Sequence, residues 1–406
     1  MAAHDGAFSI SHPPIYKYRF IITSMLLPIS KPVWIDTSSA LRRLADILCQ
    51  QPRIAVDTEA NSLHAYRERV CLIQFSIPDA DYLVDPLALD DLTYLAPIFA
   101  DPQIEKIFHA AEYDVLGLHR DFDFVFANMF DTMVAARTLG YNAVGLGSLL
   151  AEKFGLDVDK HNQKADWAQR PLTEDLLSYA RLDTHYLITL REILETELRQ
   201  KERWELARED FVRCCYINGN GHRDQKERWE RIVGQGELDL RQQTILNELC
   251  ICREKIAERL NRPVFKVIND HVLLKAAKNP PQSLDGLASS GMSEKQIQRC
   301  GKAMLEAIHR GSSTPLVEPT RVTRLPNSVL NRQQTLKNWR KDKARELKVE
   351  SDVILPRQYL QAIAEKNPRS YEALAQVMDE APWRLEHFGP EILRVLGVKT
   401  TETQMR

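Results

Sequence analysis

Three short apolar runs crowd the first quarter of the chain and restrict its fold more than any other feature: Ile54-Ala55-Val56, Val70 to Ile77 and Tyr82-Leu83-Val84. Runs of this length and character read as buried strands. They follow one another so closely that hairpins connect them more naturally than crossover helices, which disfavours a doubly wound parallel sheet. A fourth strand is expected over Ile104 to His109, with helices over Leu92 to Phe99, Glu112 to His119 and Asp131 to Leu139. This half of the chain therefore reads as an α/β layer fold around a mixed sheet.

The pattern then changes. Asp175 to Glu209 reads as one long helix, with Leu176, Leu177, Ala180, Leu187, Leu190 and Ile193 along an apolar face. A break is expected near 217–223, where Gly219 and Gly221 fall. Residues 224–310 are helical in pattern throughout. Residues 311–330 carry Ser, Thr and three Pro and read as a linker, and helical pattern returns from Arg332 to Leu396. The two helical regions repeat each other weakly. Ala277-Lys278-Asn279-Pro280 aligns with Glu365-Lys366-Asn367-Pro368, which sets Ser283 against Tyr371 or, with a slip of one residue, Ser370. The expected division is an N-terminal extension over 1–30, an α/β domain over 31–210, and helical domains over 220–310 and 331–400 joined by the 311–330 linker.

A length of 406 residues with 44% apolar content suits two or three domains with sizeable cores. The formal charge of −2 gives no global support to nucleic-acid binding, which needs only a local basic face. Seven cysteines at irregular spacing suggest free thiols in a reducing cytoplasm rather than a disulfide or zinc framework. The apolar stretch Phe20 to Pro28 is too short to span a membrane and lacks a convincing cleavage pattern. A cytoplasmic monomer without membrane attachment is expected; residues 1–24 read as a loose extension, with Met25 as an alternative start.

Asp57 and Glu59 stand two apart at the end of the first strand, so both carboxylates project from one face. Such a pair beside an apolar strand calls for a partner, and a divalent cation is one. Solvated acids at a strand-end turn are the plainer alternative. Tyr179 and Asp183 share a helix face, either as a phenol and a metal ligand or as a buried tyrosine and an exposed acid. Asp114 sits in the first turn of a helix, where the helix dipole favours an acid regardless of function. Converging, Asp57, Glu59, Asp114 and Asp183 would suit two cations about 4 Å apart, an arrangement that activates water for phosphodiester hydrolysis.

These residues carry a resemblance. Residues 53–208 resemble the exonuclease domain of ribonuclease D, a ribonuclease H-like fold in the tyrosine subtype of the DEDD superfamily. Asp57-Thr58-Glu59, His109 to Asp114 and Tyr179 to Asp183 fit its three motifs, and Phe130-Asp131-Thr132, Gln163, Asp166-Trp167 and Arg170-Pro171 fit intervening segments. The resemblance implies a 3′→5′ exoribonuclease using two Mg²⁺ or Mn²⁺ ions. Asp57, Glu59, Asp114 and Asp183 would hold the ions, and Tyr179 would orient the attacking water. The implied products are 5′-mononucleotides, and the implied substrates are transfer RNA precursors and other structured RNAs with a free 3′ end. Gln163, Trp167 and Arg170 are candidate substrate contacts. Asp131 is expected to cap a helix, and His64 and His109 are not expected to be ligands. A DNA-directed exonuclease of the same superfamily and a non-catalytic nucleic-acid-binding scaffold are the competing readings.

Residues 224–310 resemble an HRDC domain through Leu246, Leu249, Arg253-Glu254, Ala257, Asn261-Arg262-Pro263 and Leu284 with Leu287. Cys252 stands where that family usually has Trp. Residues 331–398 resemble a second, divergent copy, in which Trp339-Arg340 fits the usual Trp-Arg pair. From Arg321 to Lys348 nine basic residues face two acids, a local charge of +7 that would attract phosphates, with Arg340 as the candidate contact. A solvated helix face beside a basic linker accounts for the same charges.

Overall fold

The structure is a computed structural model that describes residues 31–158, 161–216, 228–318 and 325–398. The expected N-terminal extension, the glycines at 219 and 221, and Arg321 and Arg324 lie outside the described residues.

The chain begins with β1 (Val33–Ile35), α1 (Ser38–Leu48), β2 (Arg53–Ala60), β3 (Val70–Ile77) and β4 (Ala80–Val84). After α2 (Ala96–Ala100) come β5 (Glu105–Phe108), α3 (Glu112–Phe122), β6 (Met129–Asp131), α4 (Thr132–Leu139) and α5 (Leu146–Phe154). Three helices complete the domain: α6 (Glu174–His185), α7 (Leu187–Gln200) and α8 (Trp204–Cys215). The six strands form one sheet in the order β1-β4-β3-β2-β5-β6. β2, β3 and β4 are an antiparallel meander, whereas β5, β6 and β1 add in parallel. The mixed sheet is therefore as expected. Its edges β1 and β6 carry no strand pattern of their own, because three residues are too few to show a period.

Helices cover both faces. Ile54 and Val56 enter one core with Phe75, Phe99 and Phe108, while Ala55 enters the other with Ile107, Phe130 and Leu190. Burial on both faces explains why β2 starts as an unbroken apolar run.

The long helix expected over Asp175 to Glu209 is instead three. α6 ends at His185, α7 ends at Gln200, and the chain turns through Glu202 at a positive φ of 55° before α8. The Arg203 guanidinium at this corner donates to the carbonyls of Thr138 and Leu347. An uninterrupted apolar face conceals such corners, because each helix segment packs on the same core.

The first helical domain comprises α9 (Leu240–Leu260), α10 (Val264–Val267), α11 (Asp270–Lys278), α12 (Leu284–Ser289) and α13 (Glu294–Ser313). The second repeats the order in α14 (Asn327–Leu347), α15 (Ser351–Ile354), α16 (Arg357–Lys366), α17 (Tyr371–Ala375) and α18 (Pro382–Val395). Both opening helices have 21 residues and end on a left-handed cap, Asn261 in one and Lys348 in the other. Ser283 and Ser370 each cap the fourth helix, which settles the alignment in favour of the one-residue slip. The expected linker over 311–330 is too wide: α13 continues to Ser313 and α14 starts at Asn327. Gly311 is a helix contact, since a Cβ there would lie 2.6 Å from the Ile245 backbone.

The second helical domain is fastened to the back of the sheet domain. Arg384 is fully buried and donates to Glu209 at 2.7 Å and Asp210 at 2.8 Å, both on α8. Lys348 seats its carbonyl against Gly140, where a Cβ would intrude to 2.3 Å. The first helical domain meets the loop that leaves β2: the Tyr66 hydroxyl donates to Glu254 at 2.7 Å and the Tyr66 N–H to Asn261 at 3.2 Å.

Candidate active site

The site opens where strands part. β2 pairs with β5 only through Ala55, opposite Ile107, so Val56 to Ala60 run on without a neighbour on that side. The Thr58 N–H freed there donates to Asp114 Oδ1 at 3.1 Å, and the Thr58 hydroxyl donates to the same oxygen at 2.5 Å. Asp114 arrives on the first turn of α3. On its other edge β2 pairs Asp57 with Gln74 of β3, whose amide donates to Asp57 Oδ2 at 3.4 Å. Asp57 and Glu59 are thus interior strand residues rather than members of a strand-end turn, and a register shift follows Glu59.

α6 supplies Tyr179 and Asp183. It is pinned to the sheet by Asp81, a residue 5% exposed at the β3–β4 hairpin. Asp81 accepts from Arg181 at 2.7 Å, from Ser76 at 2.6 Å and from His185 at 2.9 Å. Burial pushes this carboxyl up, but the hydrogen bonds from His185, Ser76 and Arg181 outweigh it and hold Asp81 below its ordinary range. Nothing in the local pattern distinguishes Asp81 from a hairpin acid, so its positioning role is legible only in three dimensions. Gln74 is silent in the sequence for the same reason, and Thr58 stands there only as the middle of the Asp57-Thr58-Glu59 motif, with no sign of its bonds to Asp114.

Asp57, Glu59 and Asp183 bring one carboxylate oxygen each within 4.8 Å of one another. Asp114 lies outside that trio, on the Thr58 side. Burial, then the charges of Asp114, Asp183 and Glu59, push Asp57 well above the usual carboxyl range. Burial and the neighbouring Asp183 and Asp114 raise Glu59 to about 9. Burial raises Asp183 and Asp114 to about 7 each, with Asp114 adding to the effect on Asp183. Four acids that resist ionisation together form a donor set suited to hard divalent cations, whose charge would relieve the repulsion. This donor chemistry fits Mg²⁺ or Mn²⁺ better than zinc.

A cavity of about 400 Å³ opens over the trio. Its lining includes Asp57, Glu59, Asp183, Tyr179, Gln163 and His109. Gln163 is a hydrogen-bond partner of Tyr179, and burial followed by the charges of Asp183, Glu59 and Asp57 drives the phenol far above its ordinary value.

Three candidate substrate contacts occupy other places. Trp167 is 1% exposed and packs behind Tyr179 with ring centres 6.1 Å apart, which leaves no face for a base to stack on. Arg170 grips Asp85 with two nitrogens at 2.7 and 2.6 Å and donates to the Cys71, Trp167 and Gln169 carbonyls, so its donors are engaged within the domain. Arg340 donates to the Leu355 carbonyl at 2.8 Å, as Arg253 does to Ile268 at the equivalent place in the first helical domain. It closes the helical module. The basic stretch around it is largely paired: Arg332 binds a carbonyl, Lys343 binds Glu391 and Glu346, and Arg345 binds Asp342. Lys337 and Lys341 remain exposed.

Comparison with known proteins accords with this arrangement. A family model described as 3′-5′ exonuclease matches residues 32–199, and the HRDC domain model matches twice, at 242–308 and 329–396. Protein RRP6-like 3 of Arabidopsis thaliana is 44% identical over 179 residues, covering 44% of this chain and 20% of that protein. The chain spans less than half the length of this and similar eukaryotic relatives. Ribonuclease D of Gluconacetobacter diazotrophicus is 31% identical over 291 residues, covering 70% of this chain and 73% of its own. The crystal structure of Escherichia coli RNase D shares the fold with a TM-score of 0.65 at 24% identity, over 87% of this chain and 100% of that one. With its nuclease core, its paired HRDC domains and a bacterial relative matched over most of its length, the chain belongs to the ribonuclease D family.

Proposed function

We propose that the protein is a 3′→5′ exoribonuclease that releases 5′-mononucleotides by two-metal-ion hydrolysis. The observation that carries the reading is the convergence of Asp57, Glu59 and Asp183 under a cavity that also receives Tyr179 and Gln163. Asp57, Glu59 and Asp183 would hold the ions, with Asp114 supporting the second from the Thr58 side. The ions would supply a nucleophilic water and neutralise charge on the leaving oxygen. Tyr179 keeps its proton at neutral pH, so it serves by orienting the water through its hydroxyl rather than by accepting a proton. Gln163 holds that hydroxyl in place. Asp81 fixes the helix that bears both Tyr179 and Asp183.

The same reading takes RNA with a free 3′ end as substrate, with transfer RNA precursors and other small structured RNAs foremost, and a monomer working in the cytoplasm. Among the described residues no helix is long and apolar enough to cross a membrane. A nuclease domain and two helical domains, the first closing with α13 and the second opening with α14, would divide the work, the helical pair governing access by structured RNA while a single-stranded tail enters the acidic cavity.

The test uses 5′-labelled RNA and DNA strands of one sequence, each with a free or a blocked 3′-hydroxyl, in Mg²⁺ or Mn²⁺. A stepwise RNA ladder that requires the free end and disappears in Asp57→Asn is expected. Preference for DNA would move the protein to the DNA-directed branch. Absence of metal-dependent cleavage by folded protein would favour the scaffold.

A further inference from the structure

One wall of the cavity carries chemistry that the hydrolysis does not use. His109 lines it beside Asp57, Glu59 and Asp183, at the turn between β5 and α3. That turn is held in an unfavourable shape. Ala110 sits at a φ of 61°, in the left-handed region that residues with side chains adopt only at a cost. Asp131, 2% exposed, holds it there by accepting from the N–H groups of Ala110 at 3.1 Å and Ala111 at 2.8 Å. The same carboxylate caps α4 through the N–H groups of Met133 and Val134. Capping was the expected role of Asp131; shaping the turn that presents His109 is a second one.

Hydrogen bonding assigns the tautomer of His109. Nδ1 lies 2.9 Å from the Thr132 hydroxyl, and that hydroxyl lies 3.1 Å from the Phe108 carbonyl. Thr132 is fully buried. A hydroxyl has one proton and a carbonyl can only accept, so Thr132 donates to Phe108 and accepts from Nδ1–H. It is the one assignment in which both short contacts are hydrogen bonds. Nε2, on the far side of the ring from Thr132, is then a lone-pair acceptor with no protein partner among the described residues. Burial lowers the pKa of the imidazole, in keeping with a neutral ring.

An acceptor in this place constrains what it faces. A phosphodiester has no proton to offer, whereas every ribose carries a 2′-hydroxyl and no deoxyribose does. Base amino groups differ from one nucleotide to the next and would make degradation depend on sequence, and the terminal 3′-hydroxyl, the other sugar donor, is common to RNA and DNA and is distinguished from the 2′-hydroxyl by the deoxy strands below. We propose that His109 Nε2 accepts a hydrogen bond from the 2′-hydroxyl of one of the last two nucleotides, and thereby selects RNA over DNA. The assignment rests on the exoribonuclease reading above.

The experiment compares kcat/KM on an all-ribose strand with strands carrying one 2′-deoxy substitution, at the last or the penultimate nucleotide. A strand with deoxy at a distant position is the control. The parent protein is expected to lose roughly tenfold when the recognised hydroxyl is removed, the value of one well-placed hydrogen bond. His109→Ala should lose a similar factor on the all-ribose strand and nothing further on the deoxy strand, because the two changes delete one interaction. His109→Gln, whose amide oxygen can accept, should recover part of the discrimination. Equal losses by His109→Ala on ribose and deoxy strands would overturn the assignment, as would a parent indifferent to both substitutions. A parent that degrades no RNA in either metal would instead overturn the exoribonuclease reading itself.

Discussion

Replacing Glu59 by glutamine should stabilise the metal-free protein while abolishing its metal response. Glu59 titrates near 9 in the folded chain, against an ordinary 4.5, because burial and the neighbouring Asp183 and Asp114 oppose its charge. The folded state therefore binds this proton more tightly than the unfolded state. The advantage is complete below pH 4.5 and drains away as pH rises towards 9, at about 1.4 kcal/mol per pH unit. At pH 7 the accumulated cost is at most roughly 3–4 kcal/mol. Glutamine keeps the volume without the charge, so in chelator at pH 7 Glu59→Gln should gain about 1–3 kcal/mol. For a domain of this size that raises Tm by roughly 2–12 °C. Added Mn²⁺ should stabilise the parent, by about 2.7 kcal/mol at a hundredfold excess over Kd, and leave the variant nearly unmoved. Thermal melts from pH 5 to 9, with chelator or Mn²⁺, give both readings. A variant less stable than the parent in chelator at pH 7, or a parent whose metal-free Tm is flat over this range, would refute the reasoning.

Tyr179→Phe keeps the ring that packs on Trp167 and removes only the hydroxyl, so kcat should fall about 10²-fold with Mn²⁺ stabilisation intact; loss of the metal-induced Tm shift would make the phenol part of the metal site. Arg384→Met leaves the Glu209 and Asp210 carboxylates facing an apolar chain and should cost about 3–5 kcal/mol in denaturant unfolding. Limited proteolysis should then release the second helical domain, and an unchanged cleavage pattern would show that other contacts suffice to hold it. Arg170→Lys gives up the two-pronged grip on Asp85 and should lower stability by about 1–3 kcal/mol with KM unchanged. A raised KM at unchanged stability would return Arg170 to the substrate.

The stretches that proved readable are those where chemistry is concentrated in few residues at short range. Asp57-Thr58-Glu59 announces itself because alternation along a strand puts both acids on one face, and the structure keeps them there. The repeated Asn-Pro signature marks two helical modules whose helix order and serine caps coincide. The stretches misread are those where a residue type is suggestive and its partner is far away. Arg170 and Arg340 carry the charge that a phosphate wants, yet Asp85 and the Leu355 carbonyl occupy them. Trp167 has a stacking ring, yet Tyr179 and the sheet enclose it.

By itself, then, the sequence determined the kinds of element, the division between a mixed-sheet domain and paired helical modules, and the acids that lend the site its charge. These follow from periodicity, composition and short motifs, all properties of neighbouring residues. Only the tertiary structure decided which side chains are free to act. Free cations, exposed rings and unpaired acceptors depend on partners that lie tens or hundreds of positions away, such as Asp85 for Arg170 and Glu209 for Arg384. The structure also decided the state of the ring at His109, because the buried Thr132 hydroxyl, 23 positions along the chain, meets its Nδ1 while donating to the Phe108 carbonyl. A hydrogen bond requires proximity and orientation together, and the chain acquires both only when its layers close.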